Sequence, residues 1–169
     1  MQKVLLLLPL FLAAWNSHAV AQEKDTVEVN NVRYICEGTK ASVVSRASGK
    51  YSGNIVVSDT VRTKAGVLCT VTSIAKNAFQ SCVNLRKVTL PSTISTIGEG
   101  AFNGCSSVDS LYIPEGVTDM GKNVCKDCKK LKVLTLPSSL KTIGEAAFTG
   151  CAAITRIDVP EGVTTIGKN

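Results

Sequence analysis

The sequence predicts a β-rich α/β fold built as a solenoid of stacked 23-residue coils. Two observations predict it. Aromatic, cysteine, proline and aliphatic positions recur at intervals of 23 residues from about residue 71 onward. Each interval also contains one short alternation of apolar and polar residues, which is typical of a half-buried strand. A unit of this length cannot bury its own apolar edge, so the coils are expected to stack and bury it together.

The recurring positions define the inward side of each coil. The main columns are the aromatic column Phe79, Phe102, Cys125 and Phe148, the cysteine column Cys82, Cys105, Cys128 and Cys151, the proline column Pro91, Pro114, Pro137 and Pro160, and the aliphatic column Ile74, Ile97, Met120, Ile143 and Ile166. Further apolar columns begin at Leu85, Val88 and Leu90. Because all of these positions keep one register, we expect them to form one continuous core.

Each coil is expected to contain two extended segments and one turn. Residues 85–90 have the alternation of a short strand, and the proline that follows cannot donate to a ladder and so ends it. A second extended segment carries Ile94 and Ile97 inward. Residues 98–102 are then expected to form a single helical or 3₁₀ turn, which is the α component of the predicted fold.

The first residues predict export. Lys3 precedes an apolar run over residues 4–14 that is too short to span a bilayer, and Ala19 and Ala21 are the small residues that signal peptidase recognises. Residues 1–21 are therefore predicted to be a cleaved signal peptide. A membrane anchor is the less favoured alternative, because the polar residues 16–18 interrupt the run. The mature chain contains no second apolar run of spanning length, so we expect a secreted or cell-surface protein.

The composition of the mature chain disfavours catalysis. The only histidine, His18, and the only tryptophan, Trp15, both lie in the predicted leader. Without histidine, the mature chain cannot form a Ser–His–Asp or Cys–His pair and lacks the commonest metal ligand. No catalytic residue, metal site or cofactor is therefore predicted. The formal net charge of +6 comes with no long basic run, so nucleic acid is not an expected partner.

The string Ile-Gly-x-x-Ala-Phe-x-x-Cys-x-x-Leu, followed by Leu-Pro, recurs with small variations from Val71 to Asn169. It resembles the BspA-like family of leucine-rich repeats. The resemblance implies a leucine-rich-repeat solenoid with a small β N-terminal cap, whose strands are expected at residues 32–36, 41–44 and 54–57. Family members are mostly secreted or surface proteins of host-associated bacteria and are associated with adhesion.

The predicted domain organisation follows from the leader and the repeats. It consists of a signal peptide at residues 1–21, an N-terminal linker and β cap at 22–70, and the repeats at 71–169. The last coil is expected to be incomplete, because the sequence stops after Gly167-Lys168-Asn169, where Ala-Phe-x-x-Cys is due.

One column departs from the commonest leucine-rich repeats, and another defines a longer period. The position that usually carries Asn or Cys holds Thr93, Gly116, Ser139 and Gly162, so the usual buried polar column is missing. A charged column alternates in sign and gives a two-coil period of 46 residues: Lys76, Glu99, Lys122, Glu145 and Lys168. Coils about 4.8 Å apart would bring these side chains into a ladder of exposed ion pairs.

Seven cysteines in an exported chain raise the question of disulfides. The four column cysteines are expected to be buried free thiols, because stacked side chains have parallel Cβ vectors. Cys125 and Cys128 form a Cys-x-x-Cys pair of the kind that binds zinc or supports redox chemistry. With no second ligand pair and no histidine, we interpret it as part of the core. Whether Cys36 and Cys69 bridge the cap to the first coil stays open.

The outward positions of the predicted strands define the candidate ligand-binding surface. Its residues are Arg86, Lys87, Tyr112, Lys132 and Arg156. Tyr and Arg are enriched at interface hot spots, and an aromatic residue among cations favours an acidic partner. The alternative is that these are ordinary solvated residues. A second candidate surface is a group of five lysines that could bind an acidic glycan or protein. An ordinary solvated edge is the simpler interpretation of this group, which consists of Lys122, Lys126, Lys129, Lys130 and Lys132.

These observations favour a secreted or surface-displayed binding module, of the adhesin type, over an enzyme. The expected partner is an extracellular protein of the host matrix or of another microbe, or an acidic glycan. The alternative function is a structural spacer or accessory domain of a larger surface protein.

We expect the mature protein to begin near Gln22, because cleavage after Ala21 fits the small residues of the leader. N-terminal sequencing of protein recovered from the medium and from the cell envelope measures this. A cytoplasmic protein that keeps Met1 would contradict the prediction.

Overall fold

The structure, a computed structural model, describes residues 24–168, and the predicted signal peptide lies outside this range. No helix in the described range is long and apolar enough to cross a membrane. The range contains 13 strands: β1 (Asp25–Val29), β2 (Val32–Glu37), β3 (Lys40–Val43), β4 (Gly53–Val56), β5 (Thr60–Arg62), β6 (Leu68–Ile74), β7 (Leu85–Thr89), β8 (Thr96–Ile97), β9 (Ser110–Tyr112), β10 (Asp119–Met120), β11 (Val133–Thr135), β12 (Thr142–Ile143) and β13 (Thr165–Ile166).

The strands form two sheets. The long sheet has the order β1-β2-β3-β6-β8-β10-β12-β13, with β5 paired to β6, and the short sheet has the order β4-β7-β9-β11. The chain crosses repeatedly from one sheet to the other, and neighbouring coils pair in parallel, as β8 does with β10 and β7 with β9. The parallel strands predicted for a leucine-rich-repeat solenoid are therefore confirmed.

The register of the long sheet follows the aliphatic column. Ile97 pairs with Met120, and Met120 pairs with Ile143. Side chains from neighbouring coils that lie 23 positions apart in the sequence, such as Lys76 and Glu99, are in direct contact. Equivalent residues of successive coils thus lie side by side, which places each column in one line along the solenoid.

The N-terminal cap is antiparallel within itself and parallel to the first coil. Strands β1, β2 and β3 pair in antiparallel fashion, whereas β3 pairs in parallel with β6 and β4 with β7. In each sheet, therefore, one cap strand pairs in parallel with the first coil and begins the stack in the geometry that the coils continue. The three predicted cap strands are confirmed to within one residue, and β1 and β5 are additions.

The turn that precedes each cysteine is not helical, so the α component of the predicted α/β fold is wrong for residues 24–168. Successive N–H groups of the turn donate alternately to their own coil and to the next coil. The Ala101 N–H donates to the carbonyl of Gly98 within the turn, whereas the Phe102 N–H donates to the carbonyl of Val124 in the next coil at 2.8 Å. Gly100 also has a φ of 61°, a left-handed conformation that a right-handed helix does not accommodate. The equivalent positions of the other coils are left-handed too: Asn77, Asn123 and Ala146.

Aromatic rings stack along the core. Phe79 and Phe102 are nearly parallel, with ring centroids 5.2 Å apart, and Tyr51 of the cap continues the column at 4.9 Å from Phe79. The Tyr51 hydroxyl donates to the carbonyl of Val44 at 2.7 Å and accepts from the N–H of Arg33 at 3.1 Å. The buried ring thus has its polar end satisfied, as a buried tyrosine requires.

The predicted columns are buried through most of the stack and become exposed near its C-terminal side. Ile97, Met120 and Ile143 are buried, but Ile166, which was expected to point inward, is exposed. Residues 154–159 form no strand, although their alternation predicts one. Within residues 24–168 no further coil packs on this side of the stack, which accounts for the exposure of Ile166.

The column cysteines bond to the backbone of the preceding coil. Cys105 donates through Sγ to the carbonyl of Phe79 at 3.0 Å, and Cys128 donates to the carbonyl of Phe102 at 3.1 Å. Cys82, Cys105 and Cys128 are buried as predicted, Cys151 is half-buried, and all are free thiols. Contact with the neighbouring thiol, together with burial, raises the pKa of both Cys105 and Cys151.

Cys36 and Cys69 lie beside each other where the cap meets the first coil. Burial, and then contact with the Cys69 thiol, raises the pKa of Cys36 to about 12. Cys69 donates to the carbonyl of Gly38 at 3.4 Å. Both are buried free thiols in the structure.

Polar side chains join neighbouring coils at the surface. Between one pair of coils, the Glu115 carboxylate accepts from the N–H and the hydroxyl of Ser138, both at 3.0 Å. The junction before this pair of coils and the junction after it each contain one of the expected ion pairs. These are Lys76–Glu99 at 2.9 Å and Lys122–Glu145 at 3.3 Å. Exposed pairs of this kind add little free energy of unfolding, so we interpret them as contacts that fix the register of the coils.

Hydroxyl groups partly replace the missing polar column. Thr93 donates to the carbonyl of Val71 at 2.7 Å, and Ser139 donates to the carbonyl of Val117 at 2.9 Å. Each bond joins a residue to the coil before it. The coils therefore keep a side-chain contact to the backbone at this position, on alternate coils.

A glycine column sets the distance between coils at the end of the long-sheet strands. A Cβ atom on Gly121 would lie 2.5 Å from the backbone nitrogen of Glu99, and one on Gly144 would lie 2.5 Å from the backbone carbon of Gly121. Gly98 would place a Cβ 2.7 Å from the nitrogen of Lys76. These neighbours are backbone atoms that cannot rotate away, so glycine is required for the coils to approach this closely.

Gly121→Ala should lower the free energy of unfolding by about 2–3 kcal/mol, because the added methyl group forces two coils apart. Urea unfolding followed by circular dichroism measures the change. Gly162→Ala is the matched control: its Cβ would lie 3.1 Å from the flexible end of Lys141 and 3.3 Å from the backbone oxygen of Ser138. These distances are longer than the 2.5 Å contact at Gly121, so a loss of less than about 1 kcal/mol is expected. Equal losses in the free energy of unfolding in the two variants would show that the glycine column is not needed for the close spacing of the coils.

We expect no column thiol to react quickly in the native protein at neutral pH. Contact with the Cys105 thiol lowers the pKa of Cys82 to about 7, but Cys82 is only 1% exposed. The more exposed Cys151 has a raised pKa and therefore little reactive thiolate. Titration with a thiol reagent, with and without urea and without reductant, measures this. Fast native labelling, or thiols missing after unfolding, would contradict it.

Candidate functional site

The candidate site lies on the outward side of the short sheet, which we call the strand face. Lys87 of β7 pairs with Ser110 of β9, and Ser110 pairs with Val133 of β11. Two residues further along β9 lies Tyr112, whose side chain is 56% exposed. Its β11 partner is Thr135. The aromatic side chain predicted to be outward is therefore presented by a central strand of a parallel sheet.

Tyr112 and Lys87 share a shallow pocket. Its volume is about 250 Å³, and its other lining residues are Val88, Thr89 and Leu90. Val88 is buried beneath the sheet, so it fixes the floor of the pocket. The pocket thus combines an aromatic ring, a cation and part of an aliphatic side chain.

Arg86 and Lys132 lie in a different place, a polar groove that we call the basic groove. It has a volume of about 880 Å³ and is also lined by Ser52, Gly53, Asn84, Ser107, Asp109 and Lys130. The structure therefore divides the predicted site residues between two neighbouring features of one face. Asn84 and Ser107 were missed, and Lys130 was assigned to the separate group of five lysines, although the three form a column at the same spacing as the strand residues.

Arg156 lies in neither feature. Its guanidinium pairs with the Asp158 carboxylate at 2.7 Å, and it belongs to residues 154–159, which form no strand. The structure does not bring Arg156 together with the other four predicted residues.

The group of five lysines is also divided. Lys122 pairs with Glu145 at 3.3 Å, Lys126 is half-buried and Lys129 is exposed, while Lys130 and Lys132 line the basic groove. Of the five lysines, only Lys130 and Lys132 therefore line a common groove.

A second depression runs along the long sheet. It has a volume of about 890 Å³, and its lining includes Thr96, Asp119, Thr142 and Thr165 together with the glycine column. Its floor is close to the backbone because glycine has no side chain to fill it.

The Cys-x-x-Cys pair remains in the core. Cys125 and Cys128 are both buried, and no group of His, Cys, Asp and Glu within residues 24–168 is arranged to hold a metal ion.

Comparison with solved structures shows close similarity to leucine-rich-repeat proteins. One from Bacteroides ovatus has a TM-score of 0.77 and 33% identity, over 83% of this chain and 37% of that chain. A leucine rich cell surface protein from Faecalibacterium prausnitzii has a TM-score of 0.51 and 24% identity, over 84% and 50% of the two chains. A leucine-rich repeat protein from Bacteroides capillosus has a TM-score of 0.66 and 21% identity, over 86% and 99%.

The sequence itself matches one family of repeats. Residues 67–169 match the BspA type leucine rich repeat region in 6 copies, and no catalytic family is found. No curated protein is significantly similar to the chain. The chain spans 37% of the Bacteroides ovatus protein and 50% of the Faecalibacterium prausnitzii protein. The family match covers more than half of the residues, and the chain belongs to the BspA type leucine-rich-repeat family.

Proposed function

We propose that the chain is an exported binding module of the adhesin type, in which 23-residue coils present the strand face to an extracellular protein of the host matrix or of another microbe. The observation that carries the proposal is the exposed Tyr112 beside Lys87 on a parallel sheet. Contiguous exposed apolar patches commonly mark protein-binding sites, and aromatic residues are enriched among interface hot spots.

The backbone beneath Tyr112 is held on both sides. Strand β9 pairs in parallel with β7 and with β11, and Leu111, the residue before Tyr112, is buried. The Ile113 N–H, just after it, donates to the carbonyl of Thr135 at 3.0 Å. A side chain presented by such a backbone loses little further entropy when it binds, which favours affinity.

Other apolar side chains are exposed on the same face. Val56 of β4 is 59% exposed and Val133 of β11 is 47% exposed, and Leu90 contributes to the pocket wall. With Tyr112 they provide an apolar centre, which is the usual anatomy of a protein-binding hot spot.

Cations surround this apolar centre. Lys87 lies in the pocket with Tyr112, and Arg86 and Lys132 line the adjoining groove. Such an arrangement favours a partner with an acidic surface and makes association weaker as salt rises.

Export and the absence of a catalytic role are parts of the same proposal. The leader at residues 1–21 has the charge, apolar length and small residues of a signal peptide. The Faecalibacterium prausnitzii protein, which shares the fold, is described as a cell surface protein. The mature chain would lack histidine, which disfavours the common hydrolytic mechanisms.

Tyr112→Ala should weaken binding to an extracellular protein by about 1–2 kcal/mol or more, because it removes the aromatic anchor of the apolar centre. The chain would first be tested by surface plasmon resonance against a panel of purified matrix proteins. The dissociation constant of each bound protein would then be measured for the variant, at low and at physiological salt.

Leu68→Ala is the matched control. Leu68 is also apolar and 51% exposed, but it belongs to β6 of the long sheet. Loss of binding in this control, with no loss in Tyr112→Ala, would contradict the assignment of the strand face. Failure to bind any member of the panel would contradict the adhesin-type function.

A further inference from the structure

The basic groove crosses four successive levels of the stack. Ser52 and Gly53 come from the cap, and each of the next three coils gives one residue from each of two columns. These columns are Asn84, Ser107 and Lys130, and Arg86, Asp109 and Lys132. The groove therefore runs along the solenoid axis, across the strands.

Among the described residues, the cations of the groove have no carboxylate partner. Arg86, Lys130 and Lys132 are exposed, and within residues 24–168 none of them has a carboxylate oxygen within 4.0 Å. Lys76 and Lys122, in contrast, pair with glutamates. Unpaired positive charges concentrated in one groove attract an anionic ligand.

The charges of the groove alternate along the axis. Arg86 and Lys132 lie two coils apart, a separation of roughly 10 Å, and Asp109 occupies the coil between them. One oxygen of Asp109 accepts from the Ser110 hydroxyl at 2.9 Å, which leaves the second oxygen for a ligand. A ligand with a negative charge at every step would be repelled at Asp109, whereas a neutral unit with hydroxyl groups could donate to it.

We infer that the basic groove binds a linear acidic polysaccharide in which acidic and neutral sugars alternate. Acidic sugars lie over Arg86 and over Lys130 and Lys132, and the neutral sugar between them donates hydroxyl hydrogens to Asp109. One pyranose unit advances such a chain by about the distance between neighbouring coils, so a disaccharide repeat matches two coils. Asn84 and Ser107 supply further hydrogen-bonding groups for ring hydroxyls.

An extended acidic peptide fits this spacing less well. Its side chains recur on one face roughly every 6.7 Å, a distance that matches neither one coil nor two. The polysaccharide therefore accounts for both the alternation of charge and the spacing.

The basic groove is distinct from the pocket of Tyr112 and Lys87. The two features share no lining residue, so polysaccharide binding does not depend on the protein-binding function proposed above. Tyr112→Ala should leave polysaccharide affinity unchanged, which separates failure of one proposal from failure of the other.

The test compares two fluorescent probes on the full chain by fluorescence anisotropy. The first is a hyaluronan octasaccharide, in which glucuronate and N-acetylglucosamine alternate, and the second is an oligoglutamate with the same number of carboxylates. The native chain should bind the hyaluronan probe more tightly, and binding should weaken between low salt and about 0.15 M salt.

The groove variant is Arg86→Gln combined with Lys132→Gln, which should weaken hyaluronan binding by about tenfold or more, a loss that corresponds to about 1.4 kcal/mol. Its matched control is Lys126→Gln combined with Lys129→Gln, which removes the same charge from the same stack outside the groove. The control should change the affinity by less than about twofold if binding is local. Equal losses in the two variants would overturn the proposal in favour of non-specific attraction.

A third variant, Asp109→Lys, tests the alternation. It makes the groove positive at every coil, so we expect it to raise the affinity for oligoglutamate and to remove the preference for hyaluronan. Tighter binding of oligoglutamate than of hyaluronan by the native chain would overturn the polysaccharide assignment in favour of an acidic peptide. No binding of hyaluronan at low salt would overturn the proposal altogether.

Discussion

Backbone hydrogen bonding from coil to coil is the constraint on which this structure depends. The long sheet and the short sheet bond successive coils in parallel, and the turns add a third line of bonds, such as that from Phe102 to Val124. A coil has too little apolar surface to fold alone, so its neighbours must satisfy its polar backbone as well as cover its side chains. The glycine column permits this close stacking because it has no Cβ atoms between the coils. The inward aromatic rings and the thiols fill the space between neighbouring coils without separating them.

Much of the fold follows from spacing in the sequence. The columns of Phe79, Cys82 and Ile97 predict which side chains are buried, and the alternation at residues 85–90 predicts a strand that the structure has at Leu85–Thr89. These predictions succeed because one register is repeated, so an error in one coil would conflict with the others. The helical turn was wrong for a physical reason: alternate N–H groups leave the turn to bond the next coil, and single-coil propensity carries no information about that neighbour.

The cap and the candidate site could be predicted only in part. Tyr51 completes the aromatic column, but it lies outside the 23-residue interval, so no periodicity could identify it. The outward direction of Tyr112 follows from strand alternation, whereas its pocket depends on how β7 and β9 are aligned. The basic groove was harder to predict, because Lys130 and Asn84 precede the strands and their approach to Arg86 depends on the path of the loops.

The alternation of polar contacts between coils has a consequence for how such a protein can change in length. After deletion or duplication of two adjacent coils, every lysine of the charged column would again lie next to a glutamate. Glu115 would also again lie next to a serine. Deleting a single coil would instead set lysine against lysine or glutamate against glutamate, and would do so at one junction of an otherwise intact stack. Coil pairs are therefore the unit by which this chain can be lengthened or shortened at least energetic cost, so that surviving length variants are expected to differ by even numbers of coils.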